Sequence, residues 1–553
     1  MTQAPERGAR VAREFGRALQ ALHRRLGGDA AAATVIGRWA EQAWREADAG
    51  HVCVDVPGDA ERAALAASPV VGPAGQPRAL ALDRGALYLH RLWRAESALA
   101  QRVLALDQAA PLGPAEALAQ ASARVFAAAD ATDPQQRAVA CALARRLTVL
   151  SGGPGTGKTT TLARLLVAFA RVAPQARIAY AAPTGKAAAR LAQSLAEQLP
   201  RLDPAGELRA LLPGAGQTVH RLLAARGDGR SAIRPVLDYD LVIVDEASML
   251  DIELAARLLE SLGPTTRLVL AGDRDQLASV EAGAVFADLC SAALGGVIVL
   301  ERNYRQQDAP DIGALAAAIR HVAAGAAAAI EWPASIALAP PDAAAIVDEA
   351  LAAWRDALAA SAAGAGPEVL LAAYDRHRVL SAMREGPLGV DALNGAIAAR
   401  VRRYSAGPTA PDWYRGRLVM VTRNEPGLGL FNGDVGVCLS HPQRDARDGG
   451  LVVAFGAAQQ VRLFPILQMP ACQDAWAMTV HKSQGSEFES VALVPAPAGH
   501  PLNTRELVYT GVTRARRRLS VWGSREAIEE AARCPTRRHG RLAERLAGSG
   551  SEP

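Results

Sequence analysis

SGGPGTGKTTTLARLL, residues 151–166, follows the apolar run LTVL (147–150) and opens a helical pattern. Strand, glycine-rich turn and helix therefore come in that order. Gly152, four intervening residues, Gly157, Lys158 and Thr159 fit the full spacing of a phosphate-binding loop. Glycines let backbone N–H groups converge on phosphate at a helix N-terminus, where the helix dipole favours negative charge. The Lys158 ammonium suits the β/γ-phosphates and the Thr159 hydroxyl suits Mg²⁺. Gly152, Gly153, Pro154, Gly155, Thr156, Gly157, Lys158, Thr159 and Thr160 are the expected ATP cradle.

Outward from the loop, short apolar runs alternate with helical stretches: LTVL, RIAYAA (177–182), LVIVDE (241–246), RLVLAGD (267–273) and VIVL (297–300). Runs of this length separated by helices predict a parallel sheet covered on both faces. LVIVDEASM (241–249) ends its strand in two adjacent carboxylates. Beside a phosphate loop, Asp245 suits Mg²⁺ and Glu246 suits polarisation of the attacking water.

At 553 residues the chain exceeds one ordinary core, so two to four domains are expected. Half of it is apolar and 21% charged, a soluble globular balance. No apolar run approaches the roughly 20 residues of a membrane span, and the N-terminus lacks an apolar signal core, so a cytoplasmic protein is expected. The six cysteines are scattered singly, which gives no support to a zinc or iron–sulfur site and suits buried small hydrophobes. A net charge of +5 permits a polyanionic partner without demanding one.

Residues 1–115 read as a helix-rich block with strands near HVCVDV (51–56) and ALALD (79–83), bounded by PLGPAEA (111–117). Residues 311–365 are alanine-rich and read as helices. Around 400–470 the texture turns to alternating apolar and polar positions, with Asn432-Gly433 as a hairpin signal. This predicts a small β-rich insertion. Sheet-like runs return at VALVPA (491–496) and RLSVWG (518–523), and the tail after about 540 reads as frayed.

In order along the chain come GGPGTGKT, AAPTGKAAARL (181–191), QTVHRLL (217–223), VDEASM (244–249), AGDRDQLASVEAG (271–283), NYR (303–305), WAMTVHKSQGSEF (476–488) and VYTGVTRARRRL (508–519). This series resembles the superfamily 1 DNA helicases, and within them the RecD family, the α subunits of RecBCD exonuclease V complexes. SAMREGPLGVDALN (381–394), WYRGR (413–417), GLGLFNGDVG (427–436) and, more loosely, GALYLHRLWRAE (85–96) extend the likeness over nearly the whole chain.

The resemblance implies an α/β fold with two RecA-like P-loop NTPase domains (116–302 and 303–553). It adds a helix-rich partner-docking domain (1–115) and an SH3-like β insertion at about 395–470. ATP would lie between the two RecA-like domains and single-stranded DNA across both. Gln135 or its neighbour Gln136 resembles the glutamine that reads adenine, and Gln276 the residue that senses the γ-phosphate. Arg305 and Arg514 resemble arginines brought to the γ-phosphate by the second domain. For Arg514, one of four arginines in five residues, a solvated basic face is the plainer reading. Tyr304 stacks on adenine or serves as a buried anchor, and Glu487 faces the nucleotide side. Pro183, Thr184 and Lys186, then Thr218 and His220, resemble DNA contacts of the first domain. Thr479 and His481 resemble those of the second. A helix cap for Thr218 and a satisfied histidine for His220 stand as alternatives.

The implied activity is ATP-dependent 5′→3′ translocation on single-stranded DNA and unwinding of DNA ends in recombinational repair. ATP and Mg²⁺ are the implied cofactors, and RecB-like and RecC-like subunits the implied partners. The alternatives are a free-standing RecD-like helicase and a non-catalytic nucleotide-binding scaffold. Residues 284–302 leave little room for an inserted domain. Of 61 basic residues only Lys158, Lys186 and Lys482 are lysine, and all three fall in these motifs. That predicts sites where a planar guanidinium does not replace a compact ammonium, with Lys482 bracing its loop.

Overall fold

A computed structural model describes residues 3–73, 76–126, 130, 132–203, 206, 216–224, 236–304, 309–323, 329–406, 412–425, 427–441, 450–456 and 461–548. The five apolar runs around the phosphate loop all form strands of one six-stranded sheet. Its order is Val297–Leu300, Leu147–Gly152, Arg267–Gly272, Leu241–Val244, Ile178–Ala182 and Gln217–Thr218. Every neighbouring pair is parallel. The runs are apolar throughout because both faces are covered, and the strand period of two divides them between two cores. Leu147, Val149, Val242 and Val244 point to one core, while Leu150, Leu241 and Ile243 point to the other.

The first of these cores is not the sheet's alone. It runs on into the N-terminal block through Leu99, Val103 and Leu106 of helix His90–Leu106, as far as Ile36 and Leu19. Arg102 of that helix donates to the carbonyls of Leu259 and Leu262. The N-terminal block also carries a four-stranded sheet ordered Val54–Asp55, Ala86–Leu89, Leu80–Asp83 and Val71–Gly72.

A second parallel sheet follows, ordered Ala337–Ala339, Ala515–Trp522, Phe488–Val494, His377–Ser381 and Ala477–Thr479. Between its strands His377–Ser381 and Ala477–Thr479 the chain departs to build a five-stranded antiparallel sheet from Leu418–Val421, Val435–Ser440, Leu451–Phe455, Arg462–Pro465 and Cys472–Asp474. Asn432-Gly433 is not the hairpin expected: the antiparallel strands Leu418–Val421 and Val435–Ser440 are joined by residues 422–434. The pair makes a tight turn at the end of that connection, where Asp434 N–H donates to the Phe431 carbonyl and Gly433 takes φ +94°, the left-handed region that glycine adopts without strain. The insertion begins later than 395, since residues Val390–Ala406 form one helix before it.

The tail is not frayed at 540. Residues 534–548 cross back to the N-terminal block, where Val52 N–H donates to the His539 carbonyl at 2.7 Å. Helix Leu542–Ala547 buries Leu542 and Leu546. Residues 549–553 lie outside the described residues. Among the cysteines, Cys53, Cys290 and Cys438 are buried as expected, and burial pushes their thiols up to about 12, 11 and 12. Cys534 departs from the expectation and is exposed. Among the described residues no helix is long and apolar enough to cross a membrane.

Candidate active site

The strand Leu147–Gly152 ends where the chain must turn sharply into helix Lys158–Val172. Gly155 and Gly157 take φ of +82° and +84°, which only glycine accepts cheaply. Lys158 Nζ sits inside the turn and donates to the carbonyls of Gly152 (2.6 Å) and Gly153 (3.2 Å). The Thr156 hydroxyl closes the loop by donating to the Gly153 carbonyl at 2.8 Å.

The loop faces a cleft of about 720 Å³ between the two parallel sheets. One wall carries Lys158, Thr159, Asp245, Glu246 and Gln276; the other carries Gly485, Glu487 and Arg514. Asp245 and Glu246 leave the end of strand Leu241–Val244, with the Glu246 N–H bonded to Asp245 Oδ1 at 2.9 Å. Glu246 is one of two non-glycine residues with positive φ among those described, at +53°. A left-handed backbone costs a non-glycine residue about 1 kcal/mol, and here it turns the carboxylate into the cleft. Burial pushes both carboxyls above the usual range, and the Asp245 charge pushes Glu246 further. Lys158 opposes the shift at both, and Arg514 opposes it at Glu246.

Arg514 is not on a solvated face. It is 2% exposed, its Nε donates to the Thr510 carbonyl and its Nη1 to the Ser486 carbonyl, each at 3.1 Å. Arg516, Arg517 and Arg518 take the exposed positions instead. Gln276 is buried against Asp273 (3.0 Å), and its Oε1 has no partner among the described residues. The loop around it is held by the second sheet's elements. Leu277 N–H donates to Thr510 Oγ1 at 3.0 Å, Gln484 Nε2 to the Leu277 carbonyl at 2.8 Å, and Tyr509 OH to Asp273 Oδ2 at 3.1 Å.

Of the two adjacent glutamines, Gln135 is buried on the phosphate loop and lines the cleft. Gln136 turns away and accepts from Asp130 N–H at 2.8 Å. Tyr304 lines the same end of the cleft, 42% exposed rather than a buried anchor, with the Arg302 guanidinium 5.1 Å from its ring. Arg305 lies outside the described residues.

The DNA-contact candidates divide. Thr184, Thr218 and Thr479 each accept the backbone N–H three residues on, at 3.2, 3.1 and 3.3 Å. The cap reading of Thr218 therefore holds in geometry, and a capping hydroxyl keeps its own proton for a phosphate. Pro183 precedes the first of these caps and is half-buried, and His220 is exposed. His481 is half-buried, and burial and then Arg538 push its imidazole below the usual range. Lys186 is not on an open surface. It is half-buried, and burial lowers its ammonium while Asp375 and Asp434, from the second domain and its insertion, oppose the shift. Beside it, Gly185 meets the Phe431 ring so closely that an added Cβ would lie 2.9 Å from Cγ. Lys482 is exposed as a residue, and burial and then Arg384 lower its ammonium while Asp391 opposes the shift; the bond that ties it to its loop is made by its backbone N–H, to Thr479.

Sequence reasoning missed Arg190, whose Nη1 crosses the cleft to the Gly485 carbonyl at 2.9 Å and whose Nη2 pairs with Glu487. Its one signal is position, a helical turn after Lys186 in a motif already singled out.

Residues 131–336 match the AAA domain family and residues 474–522 the UvrD-like helicase C-terminal domain. Over 495 residues the chain is 42% identical to the RecBCD enzyme subunit RecD of Mycolicibacterium smegmatis, covering 86% of this chain and 85% of that one. It is 30% identical over 545 residues to the RecBCD enzyme subunit RecD of Haemophilus influenzae, covering 86% and 82%. The ATP-dependent RecD2 DNA helicase of Deinococcus radiodurans is 34% identical over 474 residues, 82% of this chain but 57% of that one. A Pif1 helicase from Bacteroides solved with ADP-AlF3 and ssDNA superposes at a TM-score of 0.39 and 16% identity, over 71% of this chain and 92% of that one. Relatives of 30–42% identity matched along most of their length, together with a phosphate-loop cleft between two parallel sheets, make the chain a member of the RecD family of DNA helicases.

Proposed function

We propose that this chain is the ATP-driven 5′→3′ single-stranded-DNA motor of a RecBCD-type helicase–nuclease. It would work with RecB-like and RecC-like subunits on double-strand ends in the cytoplasm. The observation that carries this reading is the convergence of Lys158, Asp245 and Glu246 from one sheet with Arg514 from the other on a single cleft. Charge that develops in phosphoryl transfer would then be met from both sides only when the cleft is closed.

In this reading Lys158 holds the β/γ-phosphates and Glu246 orients and deprotonates the attacking water. Arg514 steadies the charge on the transferred group, and Gln276 reports its state to the loop that Thr510 and Gln484 hold. Thr159 and Asp245 would hold Mg²⁺; a hydroxyl and one carboxylate fit that ion because nucleotide oxygens and water fill its other positions. The ion screens the phosphates when bound. The N-terminal block would dock the partner subunits, and its shared core with the first parallel sheet would make that docking felt by the motor.

The test is unwinding of 5′-tailed against 3′-tailed duplexes by the isolated chain and by the chain copurified with its partners. Lys158→Gln serves as the dead control. Preference for 3′ tails would sink the polarity, and an active solitary monomer in native lysate would favour the free-standing reading.

A further inference from the structure

Gln135 does not stand alone at its end of the cleft. Arg164, two turns into the phosphate-loop helix, donates from Nη1 to Gln135 Oε1 at 2.7 Å. The other end of the amide, Nε2, donates to the Thr156 carbonyl at 3.4 Å. Arg164 is in turn seated on Phe126, with its guanidinium carbon 4.5 Å from the ring centroid. All three side chains line the cleft. Gly157 makes room for the arrangement, since a Cβ there would fall 2.4 Å from Gln135 Nε2.

The chemistry of the two neighbours fixes which way the amide points. A guanidinium only donates, so the atom that faces Arg164 must be oxygen; a carbonyl only accepts, so the atom that faces Thr156 must be nitrogen. A free glutamine amide can turn over and exchange its donor for its acceptor. This one cannot without setting N–H against N–H at Arg164 and oxygen against oxygen at Thr156. One acceptor lone pair and one N–H remain, in a fixed order. Adenine offers the complementary pair on one edge, a ring-nitrogen acceptor beside an amino donor. Guanine offers two acceptors there, of which a fixed amide can satisfy one.

We propose that Arg164, seated on Phe126, is a positioning residue for base selection: it locks the Gln135 amide in the orientation that accepts adenine and disfavours guanine. The proposal rests on the reading of this cleft as the nucleotide site with Gln135 at the base.

Steady-state ATPase and GTPase of the full chain, stimulated by oligo(dT), test it with three variants. Arg164→Met keeps the aliphatic packing on Phe126 and removes the donor. The ratio of kcat/KM for ATP over GTP should fall about tenfold, the size of one buried hydrogen bond to a charged donor, with the loss carried by KM. Arg164→Lys restores a donor and should recover most of the ratio. Gln135→Ala should lower the ratio at least as far as Arg164→Met. An unchanged ratio in Arg164→Met, or an equal fall in the Lys and Met variants, overturns the role of Arg164. An unchanged ratio in Gln135→Ala overturns the placement of the base itself.

Discussion

Arg190, from the side of the first parallel sheet, and Glu487, from the second, form an ion pair across the phosphate-loop cleft, 297 residues apart in the chain. Arg516 approaches the same carboxylate at 3.1 Å from the second domain's own strand. Arg190 sits on helix Gly185–Leu202, whose first residues follow the proposed DNA contacts Pro183 and Thr184. A shift of that helix on DNA would be felt at Glu487 and at the Gly485 carbonyl. Arg190→Ala is therefore expected to lower DNA-stimulated kcat/KM for ATP by about tenfold, as a part-buried charged hydrogen bond would. Glu487→Gln should cost a similar factor, and the double variant little more than either single one, because each single change removes the same contact. Additive losses in that cycle would show that the two residues act separately.

The first parallel sheet was legible because its evidence is local, whereas of the second only the strands at Phe488–Val494 and Ala515–Trp522 were, and His377–Ser381 and Ala477–Thr479 were not. A phosphate loop, four-to-six-residue apolar runs and helical spacing between them are all read within a short window. Ala337–Ala339 escaped because three residues, Ala-Leu-Ala, at a sheet edge between alanine-rich helices carry no strand signal. Arg164 and Arg190 escaped for another reason: each is one of 58 arginines in the sequence, and only folding brings each to its partner. The tail was misread because RHGRLAERLAGSG looks like a solvated end. Its arginines find acids far upstream: Arg545 at Glu96 and Asp83, and Arg541 at Asp55.

Glu246 holds its carboxylate in the cleft through a left-handed backbone, a conformation that the surrounding strand end must impose. Glu246→Gln keeps the shape and the hydrogen-bonding reach and removes the proposed base. Turnover should fall by ~10²–10⁴-fold, the usual contribution of a general base, while ATP still binds. Single-turnover hydrolysis and a fluorescent-nucleotide titration separate the two. Normal turnover with this variant would remove Glu246 from the chemistry.

Glu96 is fully buried and takes three donors: Tyr88 OH at 3.1 Å, Arg541 N–H at 2.7 Å and Arg545 Nε at 3.0 Å. Two of them belong to the C-terminal segment, so this one carboxylate fastens that segment to the N-terminal block. Glu96→Ala strands the buried Tyr88 hydroxyl and removes one of Arg545's two acids, an expected loss of about 3 kcal/mol. The loss should appear as a lower urea midpoint and as earlier proteolytic release of residues 534–553. In a chain ending at 540 the same substitution should cost much less, since the arginines it serves are gone. Equal costs in the two backgrounds would place the stabilisation elsewhere.

His377 carries a pH dependence whose sign can be worked out. It is 1% exposed beneath Trp354, with ring centroids 5.1 Å apart; Nδ1 lies 3.2 Å from Ser490 Oγ, and Nε2 has no partner among the described residues. Burial, and then the charges of Arg378 and Arg518, push its pKa down to about 3. In the unfolded chain the same group titrates near 6.5. Between those values the unfolded state binds a proton that the folded state refuses, so acid favours unfolding there. Its contribution is intact above about pH 6.5 and falls by ~1.4 kcal/mol for each pH unit below it. Urea midpoints at pH 7.5 and 5.5 should therefore converge in His377→Gln relative to the parent chain, whatever that substitution costs at neutral pH. Parallel slopes in the two proteins would mean that His377 is protonated in the fold, and that the acid sensitivity belongs to other groups.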